Sequence, residues 1–313
     1  MTKALILTDG KAGHENQSRA FARALECEAE LLPVQFKSPF AKALSYLFDW
    51  FGILTLNLFK EGKSLEGLSS TNRCAVVIGT GSGTFYAAKA LAKRLGASCG
   101  VVLYPRGYRL SGFDCILAPA FDRPDNVPNV IPIPANLVAA DAAFYEAGVK
   151  AFLERHTPSG RPAVAVIVGG PNKCATLTAD WMRAQIEKIF AQHSPADHEI
   201  WVTTSRRTPP AVEAVVDSFP FDYRLIYSRD HFNPIPAFVS LARVLYVTAE
   251  STGMLSEACT FGAAEVHALD NLKSGPHKFR RFIADLTAAG HLDGARKIDL
   301  SAQFARAREL LGV

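Results

Sequence analysis

An α/β fold with two successive parallel-sheet units is what the chain predicts, on three observations. Short apolar, β-rich runs alternate with helical stretches along most of the chain. Those runs are apolar on both faces, the pattern of strands covered by helices above and below. The alternation also stops at a proline-bearing stretch near the middle and then restarts. Two doubly wound, Rossmann-like domains facing a central cleft follow from this grammar.

KALILT (3–8) reads as the first strand, followed by a helix over about 16–27. CAVVIG (74–79), a helix over 84–95, CGVVLY (99–104) and DCILAP (114–119) complete the first set. PNVIPIPANL (128–137) holds three prolines and HTPSGRP (156–162) two prolines and a glycine, so the boundary is expected within 137–162. The second set is AVAVIVGG (163–170), a helix over 179–192, EIWVTTS (199–205), RLIYS (224–228), RVLYVTA (243–249) and AEVHALD (264–270). The expected domains are 1–150 and 160–313, with a final helix over about 302–311 packing back on the first.

With 313 residues, 49% hydrophobic and 20% charged, the chain can bury full cores, which excludes general disorder. A formal net charge of +4 is too small for a nucleic-acid-binding face, although a local basic pocket is compatible with it. The six cysteines lie far apart with no CxxC, so neither a metal knuckle nor a disulfide framework is expected, and the compartment reads as reducing. After Met-Thr-Lys the chain enters the first strand directly, so no presequence is expected. A cytoplasmic protein is expected, with the inner face of a membrane as the alternative site.

That alternative comes from residues 40–59. Between Ala43 and Phe59 the only charge is Asp49, and drawn as a helix the segment has a narrow polar stripe of Lys42, Ser45, Asp49 and Gly52. It is marginal for a membrane span. Two readings stand: a buried helix or helical hairpin, or a surface that dips into a membrane interface.

Five loops at strand ends carry the candidate chemistry. In TDGKAGHENQ (8–17), Gly10 and Gly13 lead into a helix, where backbone N–H groups can meet an anion and His14 can take a proton from a hydroxyl. The alternative is that Asp9 and His14 only cap the loop. GTGSGT (79–84) has Thr84 where a dinucleotide fingerprint needs its third glycine, no acidic residue ends the next strand at Tyr104-Pro105-Arg106, and no Tyr stands four residues before a Lys. NAD chemistry is not expected; close backbone approach, to a ligand or a packed helix, is.

In the second half Gly169 and Gly170 of VGGPNK (168–173) allow close approach, and Ser205, Arg206 and Arg207 of TTSRRTP (203–209) offer phosphate donors. TAESTGMLSEACTFG (248–262) puts Ser251, Thr252 and Gly253 at a helix start, where a pyrophosphate binds well, with Glu257 one turn on for a ribose diol. An ordinary N-cap is the other account. SGPHKFRRF (274–282) is basic and aromatic, and reads as an exposed helix face, with contact to a ligand or acidic lipid as the alternative.

DGKAGHENQ, VGGPNK, VTAESTGMLSEA with Gly262, and SGPHKFRRF, taken as a set, resemble the mitochondrial fission family named for the plant "elongated mitochondria" protein. That family has many bacterial members and was once classed among nucleoside-diphosphate-sugar epimerases. It resembles the two-domain, B-type glycosyltransferases; in the lipid-linked N-acetylglucosaminyltransferase of that fold a glycine-rich loop with a His follows the first strand, similar to Gly10, Gly13 and His14. Their nucleotide site is a strand-to-helix turn with a helix glutamate, similar to Ser251 through Glu257. The resemblance implies an N-terminal acceptor-side domain and a C-terminal nucleotide-binding domain. A nucleotide diphosphate or nucleotide sugar is the expected ligand, with no separate cofactor and no metal. Two functions follow: a nucleotide-sugar-dependent glycosyltransferase with His14 and Asp9 at its catalytic centre, or a non-catalytic, membrane-associated recruiting factor in fission or division.

Overall fold

The computed structural model of the chain describes residues 2–68 and 74–313. Its contacts divide into two compact units, one running up to Ala139 and taking in Asp299–Val313, the other spanning Ala140–Ile298.

In the first unit the strands are β1 (Lys3–Thr8), β2 (Glu28–Pro33), β3 (Val76–Thr80), β4 (Ser98–Val102), β5 (Cys115–Pro119) and β6 (Val130–Ile133). They form a sheet in the order β2-β1-β3-β4-β5-β6, and every neighbouring pair is parallel. Side chains alternate across the pleat. Leu5, Leu7 and Val77 enter a core with α4 (Phe85–Leu95), whereas Ala4, Ile6, Val76 and Ile78 enter an opposite core with Phe21 of α1 (Ala12–Ala24).

Four local features depart from the sequence expectation. Helix α1 begins at Ala12, four residues early, because Gly10 turns the chain at φ +78° and Asp9 Oδ1 accepts the Lys11 N–H at 3.3 Å. His14 therefore sits in its first turn. Strand β2 is an edge strand whose Glu28 and Glu30 hid its pattern, and β6 lies inside the proline-bearing stretch, with exposed Pro132 tolerated at the other edge. Residues 40–59 are not one apolar helix: α2 (Pro39–Trp50) starts on the Ser38 hydroxyl, which accepts the Ala41 N–H at 3.1 Å, and stops before Gly52 at φ +74°. The chain then returns through an antiparallel bridge, Phe36 to Phe59, into α3 (Gly62–Gly67).

The second unit joins β7 (Ala163–Ile167), β8 (Glu199–Thr203), β9 (Tyr223–Leu225), β10 (Val244–Thr248) and β11 (Glu265–Leu269) in the parallel order β11-β10-β7-β8-β9. On one face Val164, Val166, Ile200 and Val202 meet α6 (Ala179–Gln192) and α7 (Pro210–Asp217). On the other, Trp201 packs against Phe152 of α5 (Ala142–Leu153) and Phe238 of α8 (Ile235–Leu241), with ring centroids 5.1 and 5.6 Å away. Helix α5 approaches α8 at Gly148, where a Cβ would come within 2.5 Å of Pro236. Helices α9 (Thr252–Thr260) and α10 (Lys278–Ala288) complete the unit.

A boundary at 150 falls inside α5. Helix α5 packs in the second unit. Helix α11 (Ser301–Leu311) covers the first sheet, burying Ala307 and Leu311, with Arg308 donating to the Ala24 carbonyl at 2.6 Å and Ser98 Oγ to the Leu311 carbonyl at 2.9 Å. Among the described residues no helix is long and apolar enough to cross a membrane.

Candidate functional site

Each sheet ends in a group of loops at the carboxyl ends of its strands, the usual ligand side of parallel α/β sheets. In the first unit these loops assemble a histidine dyad. Both Asp9 carboxylate oxygens lie 3.1 Å from His14 Nδ1. Burial opposes ionisation of Asp9, but the Lys11 ammonium bonded to it at 2.8 Å, together with His14, holds its carboxyl below the usual carboxylate range. An ionised Asp9 can only accept, so Nδ1 carries the proton and Nε2 is left as the basic nitrogen.

The GTGSGT loop is the seat of this dyad. Gly81, at φ +81°, lies under the imidazole so closely that a Cβ would stand 2.4 Å from His14 Cε1. A Cβ at Gly83 would stand 2.7 Å from Asp9 Oδ2. The close approach expected of this loop is therefore made to the two candidate chemical side chains. Ser18 and Thr80 hydroxyls, 2.6 Å apart and buried, tie α1 to β3, and Lys42 of α2 donates to Ser82 Oγ at 2.8 Å. Gly13 lies in the first turn of α1 with open space around its Cα.

The second unit treats its glycines differently. Gly169 and Gly170 are buried, and their N–H groups donate to Thr248 Oγ1 at 2.8 Å and to Glu250 Oε1 at 2.7 Å. A Cβ at Gly169 would overlap Glu250 Oε1 at 2.0 Å. The missing side chain at Gly169 thus admits a buried carboxylate, whose other oxygen accepts from Asn271 Nδ2 at 2.7 Å, and the one at Gly170 admits the Arg207 backbone. Thr208 fixes the neighbouring loop by donating to the Gly169 carbonyl at 2.6 Å while accepting the Ser205 N–H at 2.8 Å.

Beside that loop opens a cavity of about 270 Å³, lined among others by Ser205, Arg206, Arg207, Tyr227, Phe232 and Met254. Both arginines are exposed. Ser251 precedes α9 without capping it through its side chain, and Gly253 has open space on its Cβ side. Glu257, one turn further, accepts from Tyr145 Oη at 3.1 Å through Oε1. Burial pushes its carboxyl above the usual carboxylate range, against the effect of that hydrogen bond.

The candidate residues fall into two sets, Asp9, Gly13 and His14 in the first unit and all the others in the second. Sequence reasoning missed Glu250, though the adjacent glycines Gly169 and Gly170 were its trace. It also missed Tyr145, Tyr227 and Phe232, which carry no local signal. Among the described residues no group of three or more His, Cys, Asp or Glu could hold a metal ion.

A family model described as mitochondrial fission ELM1 matches residues 12–303. The chain is 28% identical over 145 residues to uncharacterized protein RP120 of Rickettsia prowazekii (strain Madrid E), a match covering 44% of this chain and 40% of that relative. Among solved structures it is similar to a Listeria monocytogenes protein assigned as a UDP-N-acetylglucosamine 2-epimerase, at 14% identity and a TM-score of 0.55 over 99% of this chain and 88% of that one. It is also similar to the UDP-GlcNAc 2-epimerase of Neisseria meningitidis bound to UDP-GlcNAc, at 11% identity and a TM-score of 0.51 over 99% and 98% of the two chains. These likenesses establish the fold, two Rossmann-like units of the B-type glycosyltransferase class.

Proposed function

The chain belongs to the mitochondrial fission ELM1 family, and from that premise we propose that it is a nucleotide-sugar-dependent glycosyltransferase working at a membrane surface. The observation that carries this reading is the dyad: an imidazole seated on Gly81 and oriented through Nδ1 by Asp9, which leaves Nε2 as its basic nitrogen. That is the arrangement of a general base. The Neisseria protein of the same fold is bound to UDP-GlcNAc, which supports a nucleotide sugar as the ligand.

In this reading the second unit holds the nucleotide. The base enters the cavity lined by Tyr227 and Phe232, the diphosphate meets Arg206 and the start of α9 at Ser251, Thr252 and Gly253, and Oε2 of Glu257 takes the ribose while Tyr145 holds Oε1. His14 Nε2 accepts the proton of an acceptor hydroxyl as that oxygen bonds to the anomeric carbon. The bond from that carbon to the diphosphate oxygen breaks, and Arg206 and the helix N-terminus stabilise the departing charge. The proton then passes from His14 to solvent.

Thermal shift tests it. UDP, GDP or ADP at millimolar concentration should raise Tm by mass action, and Arg206→Ala and Glu257→Ala should each reduce that rise while the unliganded protein stays folded. His14→Ala should abolish transfer and keep the rise. No shift with any nucleotide would overturn the reading. A nucleotide shift with cellular function intact in His14→Ala would favour a non-catalytic recruiting factor, the reading that the exposed apolar helix α2 supports.

A further inference from the structure

Helix α2 is amphipathic the wrong way round for a protein in water. Phe40, Ala43, Leu47 and Trp50, at i, i+3, i+7 and i+10, are all exposed, Phe40 and Trp50 each at 74%. Phe51 at 68% and Ile53 at 49% extend the face. The polar stripe points inward: Ser45 is fully buried against Tyr108 Oη at 2.9 Å, and Asp49 is buried in an ion pair with Lys89 at 2.6 Å. Asp49 also accepts the Arg109 N–H at 2.6 Å, and Lys89 donates to the Arg109 carbonyl.

This inversion is anchored. Rolling α2 to bury its aromatic side chains would expose Asp49 to water and leave Lys89 buried without its partner, a strongly destabilising exchange. The apolar face is thus held outward by the core beneath it. The charges around it are complementary to an anionic surface. Exposed Lys37 and Lys60 stand on the ribbon that leads into the helix, and exposed Arg109 lies at the far end, donating to the Trp50 carbonyl at 3.4 Å. The acidic neighbour on the ribbon, Glu61, has one oxygen bonded to the Gln35 N–H at 2.9 Å.

We propose that the α2 face, from Phe40 to Ile53, is the docking surface for an anionic lipid bilayer, with Asp49 and Lys89 as the buried anchor that keeps it exposed. The proposal rests on the membrane-surface reading above and adds the place and the lipid chemistry. Aromatic and aliphatic side chains on a 12-residue helix can enter the interfacial region of a bilayer but not cross it, while Lys and Arg at both ends meet head groups. Because Lys42 links α2 to the loop under His14, a docked helix brings that dyad close to the lipid surface.

Cosedimentation with phosphatidylcholine vesicles containing about 30% phosphatidylglycerol tests it. The intact protein should bind at low salt, bind pure phosphatidylcholine less, and show a blue shift of Trp50 emission. Trp50→Tyr should keep binding and lose the shift. Leu47→Glu with Trp50→Glu should weaken partitioning about tenfold or more, and Lys37→Glu with Arg109→Glu about tenfold on the anionic vesicles alone. All are exposed positions, so an unchanged Tm and an unchanged nucleotide shift show that folding and the nucleotide site survive. Binding that is equal in the Leu47 and Trp50 variant overturns the docking face and leaves the membrane reading standing. No binding by the intact protein overturns both. A dimer that the same variant dissolves, without vesicle binding, replaces the bilayer by a second copy of the chain.

Discussion

The loops at the two sheet ends are built from the same material, glycines following an apolar parallel strand, and are put to opposite uses. In the first unit Gly81 and Gly83 make room for His14 and Asp9, side chains still partly in contact with solvent. In the second, Gly169 makes room for Glu250, which is buried and has both oxygens hydrogen-bonded inside the fold, and Gly170 makes room for the Arg207 backbone. A glycine at a strand end marks a close approach; which atoms fill the missing Cβ volume decides whether the result is chemistry or scaffold.

The largest effect expected from this contrast is at Glu250. Removing it leaves the Gly170 N–H and the Asn271 amide buried without an acceptor, so Glu250→Ala should cost about 3 kcal/mol or more in chemical denaturation. A cost below about 1 kcal/mol would break the comparison. Gly81→Ala comes next, at about 1 to 2 kcal/mol, because φ +81° disfavours a side chain and the new Cβ displaces the imidazole. It should also abolish any turnover that depends on His14, and full activity in this variant would remove the dyad from the mechanism.

Glu257 sharpens the comparison through pH. A carboxyl raised in the folded state contributes stability that is complete below its unfolded value near 4.5 and is lost as pH rises through the folded one. Glu257→Gln should therefore match the parent protein in acid and melt roughly 2 to 4 °C higher at pH 7.5. An equal Tm difference at both pH values would assign the effect to packing. The smallest change is expected of His14→Ala, within about 1 kcal/mol by denaturation, since its ring is part-exposed and its partner Asp9 keeps Lys11. Loss of several kcal/mol there would make the dyad a structural device.

Both sheets were legible in the sequence because their central strands are apolar on both faces, and the order of motifs located His14 and the start of α9. The edges were not. Charged Glu28 and Glu30 concealed β2, and prolines concealed β6, since an edge strand need not be apolar or fully hydrogen-bonded. Burial of Asp49 was equally hidden: its partner Lys89 lies 40 residues along the chain, beyond the reach of helical periodicity. Gly170 and Glu250 stand 80 residues apart, so the glycines could be seen and the carboxylate behind them could not.

The last described helix has a consequence for biosynthesis. Helix α11, which follows the second unit in sequence, completes the first, so on the ribosome the first sheet waits with one face only partly covered while residues 140–298 are made. At roughly 5 to 20 residues per second that interval is about ten to thirty seconds. During it Phe21, Ile78 and Val102 lack the Leu311 side of their core, and a nascent chain stalled there offers an apolar surface to chaperones. Arrival of Leu311 and Arg308 is thus the step that releases the first unit from that dependence, and it couples completion of one unit to translation of the other.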